Sequence, residues 1–392
     1  MNTEIRGLGQ AEAATLRLRS LYESYGYRRY RMSRFEEYGL YAANKSFLLS
    51  ENVLTFTDLD GRLMALKPDV TLGIAKNTKA GRERCEKVYY IESVCREDRE
   101  SHTYKEISQM GLECMGAVDD CVTAEVLALA ARSLASFGTD SVLKISNMDF
   151  VVGMLEALPV DAAAREQILA LIRRKNQSDL KRLLAGLGLS GEDQERISQI
   201  PSLYGAPRGT LERAAAIAAT PAMKAAADRL ARLCGVLEAL GYGGQLRLDF
   251  SMVNDIEYYN GIIFQGFLEG LPRLALSGGQ YDGMMAKLGK DADAIGFAIY
   301  LKELDWLPKK EARFDVDALV LYDPQSDLAR LCRDVDSLRR QGLSVRVEKS
   351  APPDLRYCYL YRFDGRLSLE EDRGNETAGG FAGGRREEEI GC

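Results

Sequence analysis

Histidine is nearly absent from this chain of 392 residues, and the scarcity excludes several kinds of site. The single residue, His102, rules out imidazole metal clusters and every Ser-His or Cys-His catalytic pair that does not use it. It lies in the charged segment RESHTYKE, where we expect a solvent-exposed loop side chain and not a catalytic base. The 8 cysteines are scattered and form no C-x-x-C pair, so neither a zinc site nor a disulfide framework is indicated.

Long apolar runs and an excess of charge are also missing. No apolar run approaches the roughly 20 residues that span a bilayer, and the first residues lack the apolar stretch of a signal peptide. Lys plus Arg total 52 against 58 Asp plus Glu, a net charge of -6, which disfavours nonspecific binding to a polyanion. We therefore expect a cytoplasmic protein with no metal, no cofactor and no membrane contact. With 46% hydrophobic residues, it can form two or three domains.

Helix and strand patterns alternate along the first three quarters of the chain. Apolar positions at helical spacing predict an N-terminal helix over 10–26. LTFTDLDGRLMAL predicts a hairpin that turns at Asp60-Gly61, and KVYYIESVC and EISQMGLECMG predict two further strands. A helical insertion is predicted over about 160–225, where helix-forming residues dominate. Strand patterns return at QLRLDFSM, IEYYNGIIFQGFL and LPRLALSGGQYDG, and the spacing in GFAIYLKELDWL predicts a helix.

The composition changes after Pro308, where a second domain is predicted. DALVLYD, SDLARLCRDVDSLRRQG and LSVRVEK read as strand, helix and strand, a βαβ unit. We expect a first domain over 1–310, a small βαβ domain over 314–372 and a disordered, Gly-rich and charged tail over 373–392.

Polar residues inside the strand-like segments are the candidates for a binding site, because burying one without a partner costs roughly 1–3 kcal/mol. Gln109 and Glu113 lie four apart on one strand and so share a face. Such a face, with tyrosine hydroxyls nearby, suits a small polar ligand that has an ammonium group and a ring N–H; alternatively, these residues face water. The candidates are Asp69, Thr71, Gln109, Glu113, Tyr258, Tyr259 and Tyr281.

Five segments occur in the order of the class II histidyl-tRNA synthetase core, which the chain resembles over about 10–306. They are LKPDVTLGIAKN, KVYYIESVCREDRESHTYKEISQMGLECMG, DIEYYNGIIFQGF, SGGQYDGMMAKLG and AIGFAIYLKEL. The resemblance implies an α+β fold, in which an antiparallel sheet of about six strands is flanked by helices. It also implies a homodimer formed through a first motif around YGYRRYRMSRFEEYG.

The resemblance assigns the backbone groups of a bound histidine to four residues. Asp69 stands where the family has a glutamate that pairs with the α-ammonium group, and Thr71 is its matching neighbour. Gln109 matches a residue near the amino acid backbone. Arg96 keeps the second-motif arginine, which contacts a carboxylate and an α-phosphate in the family.

The imidazole ring is assigned to a second group of residues. Glu113 and Tyr259 match the pair that binds the ring, where a carboxylate accepts from ring N–H and favours ring protonation. Tyr281 lies in the matching glycine-rich segment, and we place Tyr258 in the same pocket.

The nucleotide half of the site departs from the synthetase pattern. GFAIYLKEL replaces a pattern like GFA-x-GLERL, so Glu303 occupies the place of an ATP-binding arginine and Tyr300 that of a glycine. At about 4 Å and an effective dielectric of about 20, one charge pair is worth roughly 4 kcal/mol, so this reversal opposes a triphosphate. Asn254 and Asp255 also replace an Arg-Gly pair. We predict that amino acid activation is lost.

A synthetase-like chain of this kind resembles the regulatory subunits of ATP phosphoribosyltransferase, the first enzyme of histidine biosynthesis. The resemblance implies a non-catalytic protein, a homodimer within a hetero-oligomer, that supports a short-form catalytic subunit and its feedback inhibition by L-histidine. The alternatives are a divergent or truncated histidyl-tRNA synthetase, against which the acidic charge and short C-terminal domain argue, and an amino acid-binding module for another partner. We do not expect tRNA as a partner.

Overall fold

The computed structural model describes residues 9–48, 52–98, 101–253, 259–307 and 313–373. It divides into two compact units, Met1–Pro308 and Lys309–Cys392, which are described separately below. The chain beyond residue 373, where the sequence predicts a disordered tail, lies outside the described residues.

The described ranges contain β-strands in both units. The strands are β1 (Arg28–Arg29), β2 (Phe35–Glu37), β3 (Thr55–Thr57), β4 (Leu63–Leu66), β5 (Glu86–Asp98), β6 (Thr103–Gly116), β7 (Ser141–Asn147), β8 (Tyr204–Gly205), β9 (Leu246–Asp249), β10 (Asn260–Leu268), β11 (Leu276–Gln280), β12 (Asp293–Tyr300), β13 (Val316–Tyr322), β14 (Val345–Glu348), β15 (Tyr357–Phe363) and β16 (Leu367–Asp372).

Helices alternate with these strands. The α-helices are α1 (Gln10–Ser24), α2 (Tyr38–Ala43), α3 (Thr71–Asn77), α4 (Asp120–Ala135), α5 (Met148–Glu156), α6 (Ala162–Arg173), α7 (Gln177–Gly186), α8 (Gly191–Gln199), α9 (Pro207–Ile217), α10 (Pro221–Ala239), α11 (Asp282–Lys287) and α12 (Leu328–Arg340). Short 3₁₀ helices lie at Lys45–Phe47, Ile200–Ser202, Gly243–Gln245 and Leu301–Trp306. Within the described residues, no helix combines the length and apolar character needed to cross a membrane.

A large sheet organises the first unit, with the strand order β1-β5-β6-β12-β11-β10-β7-β9-β8. The neighbours from β5 to β7 in this order all pair antiparallel, whereas β1 with β5 and β7 with β9 pair parallel. Helices α4, α5 and α10 pack on its β7 and β10 region. The predicted α+β class, an antiparallel sheet flanked by helices, is confirmed, although nine strands exceed the six or so expected.

Strand β6 has two differently packed faces, as the period of two requires. Met110, Leu112 and Cys114 face the larger apolar cluster, which includes residues of α1 and α4. Met115 faces a smaller cluster that includes Tyr90 of β5 and apolar residues of α3 and α11. Gln109 and Glu113 have the same parity as Met115, so both lie on the face of the smaller cluster.

The predicted helical insertion consists of α6 to α9, followed by α10. Three of its helices and α10 begin at a side chain that accepts a backbone N–H three residues along: Asp161, Asn176, Ser190 and, for α10, Thr220. Each such cap stabilises a helix start by about 1 kcal/mol. The residues that fix these helix starts are therefore local in the sequence.

Two predictions about secondary structure are wrong. The helix expected in GFAIYLKELDWL is instead β12 followed by the 3₁₀ helix Leu301–Trp306. β12 pairs with β6 and β11 along its edges, and the run Ala294–Phe297 is buried on both faces. A short strand of that kind reads as a continuous apolar run that cannot be told from a buried helix. Asp69 and Thr71 do not lie in a strand, since Asp69 precedes α3 and Thr71 is its first residue.

The predicted hairpin at Asp60-Gly61 is confirmed. β3 and β4 pair antiparallel, and Gly61 has a φ of +79°, a conformation that glycine adopts without strain. β2 pairs with the other edge of β4 to complete a three-stranded sheet.

The second unit contains the predicted strand-helix-strand unit as β13, α12 and β14. Its sheet has the order β14-β13-β15-β16, so a hairpin that the sequence analysis did not assign adds two strands. Leu331, Val335 and Leu338 of α12 pack with Val320 and Phe363 on one face of the sheet.

Candidate functional site

A cavity of about 80 Å³ is lined by residues of the four adjacent strands β5, β6, β12 and β11. It brings together seven of the eight side chains that the sequence assigned to one pocket: Asp69, Thr71, Arg96, Gln109, Glu113, Tyr259 and Tyr281. The eighth, Tyr258, lies outside the described residues, as do Asn254 and Asp255. The remaining lining residues are Tyr90, Ser277, Gly296, Phe297, Ala298 and Tyr300.

Glu113 lies at the buried end of the cavity, with only 2% of its surface exposed. The Thr71 hydroxyl donates to Oε1 at 2.7 Å, and the Tyr281 hydroxyl donates to Oε2 at 2.7 Å. Burial raises the pKa of Glu113 to about 8, although these two hydrogen bonds lower it. At neutral pH the carboxyl is therefore mostly protonated until a cationic or N–H-bearing partner favours the carboxylate.

Glycines make the room that these side chains occupy. A Cβ on Gly296, which pairs with Glu113 in the β12–β6 register, would overlap Oε2 of Glu113. A Cβ on Gly279 of β11 would lie 2.7 Å from Cδ1 of Tyr259, a distance that real side chains essentially never show. The glycines of the GFA and SGGQ segments therefore admit the acidic and aromatic side chains of the cavity.

Asp69 and Arg96 form an ion pair at the cavity wall. Nη2 of Arg96 lies 3.3 Å from Oδ2 of Asp69, while Nε donates to the Pro68 carbonyl at 2.7 Å. Oδ1 of Asp69 accepts the Leu72 backbone N–H at 2.8 Å, so Asp69 also satisfies a donor at the start of α3. Burial raises the pKa of Asp69, and the Arg96 guanidinium acts in the opposite direction.

Gln109 presents an amide to the cavity. It is only 3% exposed and lines the cavity. A ligand that hydrogen-bonds to this amide would do so in a setting largely shielded from water, where such a bond is stronger than on the surface. The pocket thus has two carboxyls, one guanidinium and one amide within a small volume, a set that suits a zwitterion with a further N–H group.

Comparison with known proteins gives the family. A family model for histidyl-tRNA synthetase matches residues 6–304. An ATP phosphoribosyltransferase regulatory subunit from Moorella thermoacetica is 30% identical over 347 residues, which cover 85% of this chain and 88% of the relative. The chain belongs to the histidyl-tRNA synthetase-like family of ATP phosphoribosyltransferase regulatory subunits. A relative with the same name from Alkaliphilus metalliredigens is 28% identical over 348 residues, covering 86% of this chain and 87% of the relative.

Solved structures agree with the fold of the regulatory-subunit family. An ATP phosphoribosyltransferase regulatory subunit/histidyl-tRNA synthetase from Bacillus halodurans superposes with a TM-score of 0.72 at 22% identity, covering 90% of this chain and 94% of that one. The ATP phosphoribosyl transferase (HisG:HisZ) complex from Thermotoga maritima gives a TM-score of 0.58 at 20% identity, covering 73% and 96%. The family resemblance predicted from the five segments is confirmed.

Tyr300 and Glu303, the two residues that depart from the synthetase pattern in the third motif, occupy different positions relative to the cavity. Tyr300 lines the cavity, and its electrostatic interactions with Arg96 and Asp69 show that the three lie close together. Glu303 is not among the lining residues that the structure describes; it pairs with Arg273 at 3.6 Å. The phenol of Tyr300 therefore occupies space beside Arg96, while the charge of Glu303 lies outside this cavity.

Some cavity residues were not among the candidates of the sequence analysis. Tyr90 is the largest of them, and its parity with Arg96 on β5 places both on one face. With Arg96 assigned to the site, the two-residue repeat of a strand would have predicted that Tyr90 lies on the same face. Gly296 carried no such indication, because its contact with Glu113 joins strands that are far apart in the sequence.

His102 takes no part in the site. Its side chain is 81% exposed, with Nδ1 3.5 Å from Oε1 of Glu97, which agrees with the predicted loop histidine. Within the described ranges, no group of three or more His, Cys, Asp or Glu side chains has the arrangement of a metal site.

Proposed function

We propose that this chain is a regulatory subunit that assembles with a short-form catalytic subunit of ATP phosphoribosyltransferase and binds L-histidine in the cavity around Glu113. Family membership and the likeness to one chain of the Thermotoga maritima complex support the partnership. The protein acts in the cytoplasm as a homodimer within a hetero-oligomer and takes part in the first step of histidine biosynthesis.

The observation that carries the ligand assignment is the environment of Glu113. A carboxyl that is buried between two hydroxyl donors and has a pKa of about 8 holds one proton at neutral pH, which an imidazole nitrogen can share. The ring then shares the proton of Glu113, and Tyr259 packs beside it. An amino acid with an apolar side chain would leave Glu113 without this partner.

The backbone groups of histidine find partners at the other side of the cavity. The α-carboxylate pairs with Arg96, the α-ammonium group with Asp69, and the Gln109 amide contacts the same end. Thr71 and Tyr281 position Glu113 through their hydroxyls. Each carboxylate or guanidinium contact is charge-assisted and is therefore stronger than a neutral hydrogen bond.

We further propose that the subunit has lost amino acid activation. Tyr300 takes up space beside Arg96, where the related synthetases have a glycine and bind the α-phosphate. A rigid phenol there excludes a nucleotide by overlap, whereas the reversed charge of Glu303 acts from outside the cavity.

Two measurements test the proposal. Mixing the full chain with a short-form catalytic subunit should give a co-eluting complex with phosphoribosyltransferase activity that histidine inhibits; two proteins that elute separately and remain inactive would overturn the partnership. Histidine-dependent ATP–pyrophosphate exchange should be absent, and its presence would favour a synthetase.

Ligand binding is tested separately by calorimetry. Glu113→Gln should bind histidine at least about 30-fold more weakly, the equivalent of about 2 kcal/mol for a charge-assisted hydrogen bond. Glu106→Gln is the matched control, because it makes the same chemical change on the same strand at an exposed position. Equal affinity of both variants would overturn the assignment of the ring to Glu113.

A further inference from the structure

Two cysteine thiols meet on the face of the β5–β6 pair opposite to the cavity. Sγ of Cys85 lies 3.5 Å from Sγ of Cys114. Cys114 pairs with Lys87 in the β5–β6 register, and Cys85 lies two residues before Lys87, so the three side chains share a face. Cys85 is exposed and Cys114 is buried.

The backbone allows the two sulfurs to approach further. Cys85 follows the turn closed by the Gly81–Arg84 bridge and precedes the first residue of β5. Gly116, in β6, lies close enough that a Cβ on it would be 2.8 Å from Cα of Cys85. The sulfurs are already 3.5 Å apart, so a shift of about 1.5 Å at Cys85, which lies just outside the strand, brings them to the roughly 2.05 Å of a disulfide.

The surroundings shift the pKa values of the two thiols in opposite directions. The hydrogen bond with the Cys114 thiol lowers the pKa of Cys85 to about 7, and Lys87 acts in the same direction. The pKa of Cys114 is raised by the same hydrogen bond and by burial. An exposed thiolate beside a buried thiol is the arrangement of an attacking and a resolving cysteine.

We propose that Cys85 and Cys114 are a modification site, a thiol pair that hydroperoxides oxidise reversibly to a disulfide. The Cys85 thiolate attacks one peroxide oxygen, the O–O bond breaks, and Cys85 becomes a sulfenic acid while the other oxygen leaves as an alcohol or, from hydrogen peroxide, as water. The Cys114 sulfur then attacks Sγ of Cys85, the S–O bond breaks, and water leaves with the Cys114 proton. Overall the two thiols lose two electrons and two protons to the peroxide.

The reduced full chain, treated with one equivalent of hydrogen peroxide, tests this site. After alkylation and digestion, mass spectrometry should find a peptide pair linked through Cys85 and Cys114 that dithiothreitol separates. Cys332 is the matched control, because it is an exposed cysteine of the second unit. At pH 7 Cys85 should react with iodoacetamide about threefold faster than an ordinary exposed thiol such as this control.

Variants make the outcome decisive. Cys85→Ser should abolish the linked peptide, and Cys114→Ala should leave a Cys85 sulfenic acid that dimedone traps. The proposal is overturned if the wild-type chain gives no linked peptide, including the case in which Cys85 stops at the sulfenic acid. It is equally overturned if Cys332 oxidises as fast as Cys85.

Discussion

The proposed histidine complex predicts that the affinity for histidine depends on pH through the proton on Glu113. In that proposed complex, one proton is shared between Glu113 and the imidazole. The free state at pH 7 already contains that proton, because the pKa of Glu113 is about 8 and free imidazole has an ordinary pKa of about 6.5. Binding at pH 7 should therefore exchange almost no protons with the solvent.

The affinity for histidine should fall on both sides of neutral pH, for a different reason on each side. Above pH 8 the free carboxyl loses its proton, so binding must take one up and weakens as the pH rises. Below about pH 6.5 free histidine gains a second proton, so binding must release one and weakens as the pH falls. Maximal affinity lies between the two pKa values.

The size of the effect can be estimated from the two pKa values. At pH 7, about 90% of Glu113 is protonated and about 75% of imidazole is neutral, whereas at pH 9 only about 10% of Glu113 keeps its proton. With both groups taken together, the apparent affinity should fall about eightfold from pH 7 to pH 9 and about 20-fold from pH 7 to pH 5.

Calorimetric titration in buffers of different ionisation enthalpy measures both the affinity and the number of protons exchanged. Glu113→Gln is the control, because its amide does not titrate and any alkaline loss that remains belongs to the histidine ammonium group. The wild-type protein should take up nearly one proton more than the variant at pH 9. If the two proteins show the same alkaline profile, the proposed proton sharing is wrong.

Three further changes test individual contacts. Gly296→Ala should abolish histidine binding, because its Cβ overlaps the Glu113 carboxyl, while Gly39→Ala, with open space around it, should bind normally in the same titration. Lys67→Met breaks a buried ion pair with Glu92 and should lower the free energy of unfolding, measured in urea, by about 3 kcal/mol. The second substitution Glu92→Gln removes the unpaired charge and should restore most of this stability. If the double variant shows no recovery, the loss is not a charge effect. Asp161→Ala removes the cap of α6 and should cost about 1 kcal/mol by the same assay, where an unchanged midpoint would show that the cap is dispensable.

Sequence patterns predicted those parts of the site that depend on neighbours along the chain. Gln109 and Glu113 share a face because strand residues alternate, and that rule needs only one segment. The family resemblance then joined Asp69 and Arg96 to the same pocket, which geometry alone would not have done. The role of each residue in binding histidine stays a prediction.

The remaining features depend on contacts between distant segments. Gly296 was unremarkable in the sequence, yet its lack of a side chain admits Glu113 from a strand far earlier in the chain. Residues 293–300 were expected to form a helix because a central strand, covered on both faces, loses the alternation that identifies strands. Glu303 pairs with Arg273 from a 3₁₀ helix that the pattern did not predict, and its expected effect on a nucleotide stays a prediction.

The capped helices of the insertion also bear on the order of folding. Their start points are encoded within a few residues, whereas the cavity needs Asp69, Glu113 and Tyr300 to meet across more than half of the chain. Local contacts form quickly and distant strand pairing slowly, so the insertion should become protected from hydrogen exchange before the binding site exists. A ligand bound in the cavity, such as the proposed histidine, would then stabilise the part of the fold that forms last.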